Sequence, residues 1–139
     1  MALDAILDTQ FYFSYFSPDD EKVGTWAKSL IARVRSGRLR LASSVITRTE
    51  LLSTMGRIIG EDATRNRISA IQGEGIPFLD IREGEADLAG EFAMRNPDIP
   101  VADCLIAATS VMQAKGVIVS RDAHFSKLTG IRVKWLKAI

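Results

Sequence analysis

Four acidic residues, Asp8, Glu50, Asp103 and Asp122, stand where an α/β fold would gather side chains. Asp8 ends the apolar run Ala5-Ile6-Leu7, and Asp122 lies just beyond Val117-Ile118-Val119. A continuous β-branched run of that kind reads as a strand covered on both faces in a parallel sheet, and the carboxyl ends of such strands are where open α/β sheets place ligands. Glu50 and Asp103 fall in the opening turns of helices that follow strands, and near the start of a helix the free N–H groups and the dipole favour an anion. Carboxylates brought together repel one another and, unless they take up protons, need a cation. Oxygen donors suit Mg2+ or Mn2+, one or two of which can activate water and neutralise the leaving oxygen of a phosphodiester. The residues for other chemistries are missing: there is no Cys/His metal spacing, no Gly-rich phosphate loop and no nucleophile elbow.

The stretch 100–125 positions two of these acids. Pro100 suits the first turn of a helix and Gly116 a left-handed stop. Between them Val101, Cys104, Leu105, Ile106, Ala107, Ala108, Val111 and Met112 make the helix apolar nearly all round, as if enclosed by other structure, with Asp103 the exception. Upstream, residues 3–7 read as a strand, and Phe11, Tyr12, Phe13, Tyr15 and Phe16 begin a helix over the strand ends. Ser17-Pro18-Asp19-Asp20 caps a helix in which Val23, Trp26, Ala27, Leu30, Ile31 and Val34 keep helical spacing.

Residues 38–43 alternate as Arg38, Leu39, Arg40, Leu41 and read as a second strand. Ser44 opens the helix that carries Glu50 in its second turn. After a break at Gly60 come a helix through Ile68 and Ile71, a strand at 76–81, a helix at 83–95, a single turn at 124–128 and an edge strand at 131–135. This order predicts an α/β protein: a three-layer α/β/α sandwich with a central, mainly parallel five-stranded sheet, as a single domain over 1–139.

With 47% hydrophobic and 25% charged residues, 139 residues suffice for one ordinary core. The apolar N-terminal run is interrupted by Asp4 and has no basic segment, which argues against a signal peptide or membrane span and for a cytoplasmic protein. Cys104, the only cysteine, cannot form an internal disulfide and reads as a small buried side chain. The net charge is only +1, but the charges segregate: 33–67 is rich in arginine, 74–103 is acidic and 115–137 is basic. Such segregation gives either a face that attracts a polyanion around an acidic centre or the solvated sides of amphipathic helices.

Four motifs in order, Ile-Leu-Asp-Thr at 6–9, Thr-Glu-Leu at 49–51, Ala-Asp-Cys-Leu-Ile-Ala-Ala-Thr at 102–109 and Val-Ser-Arg-Asp-Ala-His-Phe at 119–125, resemble the PIN domain. Among PIN domains they are similar to the VapC-type toxin ribonucleases of type II toxin–antitoxin pairs, over essentially the whole chain. The resemblance implies a metal-dependent endoribonuclease with Asp8, Glu50, Asp103 and Asp122 as its catalytic and metal-binding acids and Mg2+ or Mn2+ as cofactor. It also implies Thr9 and Ser120 as supporting hydroxyls, an RNA substrate, a homodimer, and a cognate antitoxin whose segment occupies the groove. Such toxins often carry Thr where this chain has Ser120, a change that removes a methyl group and keeps the hydroxyl.

On this reading Asp8 and Asp103 bind the principal ion most directly, Glu50 and Asp122 hold its waters or a second ion, and cleavage leaves a 3′-hydroxyl and a 5′-phosphate. Arg38, Arg40 and Arg48, with Arg33, Arg35 and Arg57, are candidates for contacts to the RNA backbone.

Each acid also has an ordinary structural use: Asp8 as a helix cap, Glu50 as a surface residue, Asp103 as a dipole partner, Asp122 in a turn. His124 reads as a surface residue rather than a general base, because a metal ion already supplies that function. Phe11, Tyr12, Phe13 and Phe16 read as core or dimer packing rather than base-stacking platforms. Two rival classes remain. One is a PIN-like module that binds RNA or protein without cutting, against which the intact acidic quartet stands. The other is a phosphoryl-transfer fold with Asp8 as acceptor, which lacks a second acid at position 10, where the chain has Gln10, and a Lys after a strand.

Overall fold

The computed structural model describes residues 2–139; Met1, first residue of the expected domain, lies outside them. In chain order the elements are β1 (Ala5–Leu7), α1 (Thr9–Phe16), α2 (Glu21–Arg35), β2 (Leu41–Ser44), α3 (Ile46–Ile59), α4 (Glu61–Gly73) and β3 (Phe78–Leu79). They continue with α5 (Glu83–Arg95), α6 (Val101–Ala114), β4 (Val117–Val119), a 3-10 turn (Ala123–Lys127) and β5 (Arg132–Lys134). The strands form one sheet in the order β3-β2-β1-β4-β5, and every pairing is parallel.

Successive strand residues point to opposite faces, and that alternation builds two cores. Ala5, Leu7, Leu41, Val117 and Val119 face α1 to α4, where they meet Tyr12, Leu30, Ile31, Leu51, Met55 and Ile68. Ile6, Ala42 and Ile118 face the other way, onto Ala89 and Phe92 of α5, Ile106 and Ala107 of α6, and Phe125. The result is the expected α/β/α sandwich. Strand β1 lies between β2 and β4 with all three residues fully buried. Burial of a side chain such as Ile6 or Leu7 contributes about 1.5–3 kcal/mol, so this strand anchors both cores.

Register fixes where the strands end. Leu7 pairs with Val119, so Asp8 and Ser120 follow as neighbours on adjacent strands, and Asp8 N donates to Val119 O at 3.0 Å. At the far end of β4 the chain turns through Lys115 (φ 53°) and Gly116 (φ 81°), so the left-handed stop begins one residue before the expected glycine. Gly116 is required on a second count: a Cβ there would lie 1.9 Å from the carbonyl oxygen of Gly130.

Four expectations need correction. Strand β2 starts at Leu41, not Arg38, because the N–H groups of Arg38 and Leu39 both close onto Arg33 O at the end of α2. Ser44 belongs to that strand and is fully buried, and α3 opens two residues later. Helix α6 is not enclosed all round: Val101 and Met112 are exposed, while Cys104, Ile106, Ala107 and Ala108 are buried. Asp103 does lie in its first turn, but α6 follows α5 rather than a strand. The hydrogen bond from Gln113 near the end of α6 to Glu85 at the start of α5 ties the two into an antiparallel pair.

Candidate active site

Asp8 is nearly fully buried at the end of β1, and both its oxygens are engaged. Oδ1 accepts from Thr9 N at 2.8 Å, the helix-capping role, and Oδ2 accepts from Ser120 Oγ at 2.7 Å. Thr9 then turns its hydroxyl to the next acid, donating to Glu50 Oε1 at 2.7 Å. Having given its one hydrogen to Glu50, Thr9 Oγ1 accepts from Thr47 Oγ1 at 3.0 Å. Thr47 and Glu50 lie three residues apart on α3, hence on one helix face.

The other half of the site hangs on β4. Ser120 Oγ accepts from Asp122 N at 2.9 Å while it donates to Asp8, so one buried hydroxyl joins the first acid to the last. Asp122 caps the 3-10 turn, its Oδ1 accepting from His124 N at 3.2 Å and standing 2.9 Å from His124 Nδ1. The second ring nitrogen, Nε2, lies 2.8 Å from Asp103 Oδ2. All four acids line one cavity of about 340 Å3, together with Thr9, Gln10, Phe13, Thr54 and Pro100.

Negative charge is unfavourable there. Burial pushes the Asp8 carboxyl up to about 6; the Asp103 and Glu50 charges add to the rise, and the hydrogen bonds from Ser120 and Thr9 oppose it. Burial also raises Glu50, with the Asp103 charge in the same direction and the Thr9 hydroxyl against. Asp103 is raised by burial and by the Asp122 charge, and lowered by His124. A compact positive charge would relieve all three. The donors, carboxylate oxygens with one imidazole at the edge, suit a divalent cation of the Mg2+ or Mn2+ kind. Asp103, Asp122 and His124 offer ligand atoms within 4.8 Å of one another.

All four acids, Thr9 and Ser120 thus meet in one place. The basic candidates divide. Arg48 lies on α3 two residues before Glu50, with its guanidinium 5.3 Å from the Phe78 ring centre. Arg38 and Arg40 precede β2, whereas Asp8 and Ser120 follow β1 and β4; in a parallel sheet that puts the two arginines at the opposite end of the strands. Phe11 and Tyr12 are core residues as expected, but Phe13 lines the cavity.

His124 is partly buried between two acids, where the sequence predicts a surface residue. The sequence signal for this placement is the two-residue spacing from Asp122, which lets an aspartate cap the turn that carries the histidine. Thr47 lies outside the sequence motifs, and its three-residue spacing from Glu50 is the one signal that marks it.

A family model for the PIN domain matches residues 5–131. No curated protein sequence matches the chain. Among solved structures, the chain is similar to VapBC2 from Rickettsia felis bound to a promoter DNA fragment, with 14% identity, a TM-score of 0.72, and coverage of 94% of this chain and 97% of that one. It is similar to VapC20 of Mycobacterium tuberculosis, described as a sarcin-ricin loop cleaving toxin, with 19% identity, a TM-score of 0.72, and coverage of 91% and 96%. FitAcB from Neisseria gonorrhoeae gives 22% identity and a TM-score of 0.65 over 93% and 95%. At these identities the structural likeness is one of fold. The family match spans nearly the whole chain, all four acids included, and the chain belongs to the PIN domain family.

Proposed function

We propose that this PIN domain is a divalent-metal-dependent endoribonuclease and the toxin of a toxin–antitoxin pair. The observation that carries the reading is the convergence of Asp8, Glu50, Asp103 and Asp122 on one cavity in which ionised carboxyls are disfavoured. Asp8 and Asp103 would hold Mg2+ or Mn2+, with Glu50 and Asp122 on its waters or on a second ion. When bound, the ion makes water a stronger nucleophile and neutralises charge on the phosphodiester.

The chain's own groups do the positioning. Ser120 and Thr9 N fix both oxygens of Asp8, and the Thr47–Thr9 hydroxyl pair holds Glu50 facing the same space. Arg48, on the helix that carries Glu50, is the retained candidate for a backbone phosphate. Exposed Met94, Val101 and Met112 on α5 and α6 offer apolar surface for a second copy of the chain. The antitoxin partner is inferred from the toxin–antitoxin complexes among the structural relatives, and an RNA substrate implies a cytoplasmic site of action. No helix among the described residues is long and apolar enough to cross a membrane.

The test is incubation of the purified protein with structured RNA, including a sarcin-ricin loop fragment, with Mn2+ or Mg2+ and with EDTA. Cleavage should require the ion and leave 5′-phosphate ends, and Asp8→Asn and Asp103→Asn should abolish it with the fold retained. RNA bound but left intact under all conditions would favour a binding module. Cutting by Asp103→Asn at the wild-type rate would overturn the assignment.

A further inference from the structure

His124 is held in place from two sides. The next residue, Phe125, is fully buried in the core beneath α6, and Asp122 Oδ1 takes both the His124 backbone N–H and the edge of the ring that carries Nδ1. In a neutral imidazole, a carboxylate that accepts from one ring nitrogen selects the tautomer in which the other nitrogen presents a lone pair. Here that other nitrogen, Nε2, faces Asp103 Oδ2 at 2.8 Å. In a protonated ring that contact is a hydrogen bond to Asp103; in the neutral ring held by Asp122, a cation against both atoms takes the proton's place, and Asp103, Asp122 and His124 offer ligand atoms within 4.8 Å of one another. Donors at right angles on a small divalent ion, with bonds of about 2.1 Å, are themselves about 3.0 Å apart, close to the spacing found. Asp103 and Asp122 also line the cavity on which the nuclease reading centres.

We propose that His124 Nε2 is a metal ligand beside Asp103 Oδ2, with Asp122 orienting the ring, so that the centre takes a first-row transition ion, Mn2+, in preference to Mg2+. This rests on the reading that the acids hold a divalent cation. It adds to that reading the element the centre selects, because imidazole suits transition ions while Mg2+ keeps oxygen ligands and its own waters.

His124 is the only histidine in the chain, which makes the test direct. The untagged protein is loaded with Mn2+ and examined by pulsed electron paramagnetic resonance for imidazole 14N coupling, and Mn2+ and Mg2+ affinities are measured calorimetrically for wild type and His124→Gln. Imidazole coupling is expected in the wild type and not in the variant, and the variant should lose about tenfold or more of its Mn2+ affinity with a smaller loss for Mg2+. Absence of imidazole coupling in the Mn2+-loaded wild type, or an unchanged Mn2+ to Mg2+ preference in folded His124→Gln, would overturn the assignment whether or not RNA is cut. Coupling present with no RNA cleavage would leave the ligand standing and reject the nuclease reading instead.

Discussion

Ser120 Oγ donates to Asp8 Oδ2 at 2.7 Å across a sequence separation of 112 residues, joining the ends of the two strands on which the site is built. The Ser120 side chain is fully buried, so its loss leaves a carboxylate oxygen without its partner. Ser120→Ala should therefore lower stability at pH 7 by about 1.5–3 kcal/mol, the range for hydrogen bonds to charged groups. Ser120→Thr keeps the hydroxyl and should recover most of the loss. Urea unfolding of the three proteins checks this; equal stability of Ser120→Ala and wild type would contradict it.

The raised Asp8 carboxyl makes stability depend on pH. Its folded value of about 6 lies above the ordinary 3.8, so the folded state binds this proton more tightly than the unfolded chain does. The stabilisation is complete below the unfolded value and is lost as pH rises through the folded one. In EDTA, wild type should lose about 2–3 kcal/mol relative to Asp8→Asn between pH 4 and pH 7. Glu50 and Asp103 are raised too and remain in both proteins, so the difference between them reports Asp8 together with its charge coupling to those two acids. Parallel stability profiles for the two proteins would refute this electrostatic picture.

Thr9 serves two acids, one through its backbone and one through its hydroxyl. Thr9→Val keeps the backbone bond to Asp8, removes the donor to Glu50 and leaves Thr47 Oγ1 without an acceptor. The variant should stay folded and lose roughly 10–100-fold in kcat for RNA, with a smaller change in KM, because Glu50 is no longer held facing the cavity. Steady-state kinetics separates the two; a loss confined to KM would mean that Thr9 contacts RNA instead.

Much of this architecture was legible in the chain itself. The Asp20 cap of α2, the span of α5 and the strand Val117–Val119 lie where local pattern put them, because capping chemistry, helical spacing and β-branched runs are short-range signals. The alternation at Arg38–Leu41 misled because Arg38 and Leu39 spend their N–H groups on Arg33 O, a turn closure that an alternating pattern does not reveal. Val101 and Met112 look like core residues by type; only the packing of α5 against α6 decides which side of the helix is covered.

Asp8, Glu50 and Asp122 could be gathered on topological grounds, since they follow β1, β2 and β4 and the carboxyl ends of parallel strands come together whatever the side chains; Asp103, whose helix follows α5, could not. The hydrogen bonds among them could not be foreseen. His124 meets Asp103, which is 21 residues away on α6, only because Phe125 seats the turn beneath that helix. Thr47 reaches Thr9 only through the β1–β2 register that sets α3 beside α1.

Titration calorimetry with Mn2+ at pH 7.5, on wild type and Asp8→Asn, tests most directly whether these acids require a cation. Saturable uptake by the wild type, weakened at least about tenfold in the variant, is the predicted result. A wild-type protein that takes up no divalent ion at millimolar concentration would contradict the account.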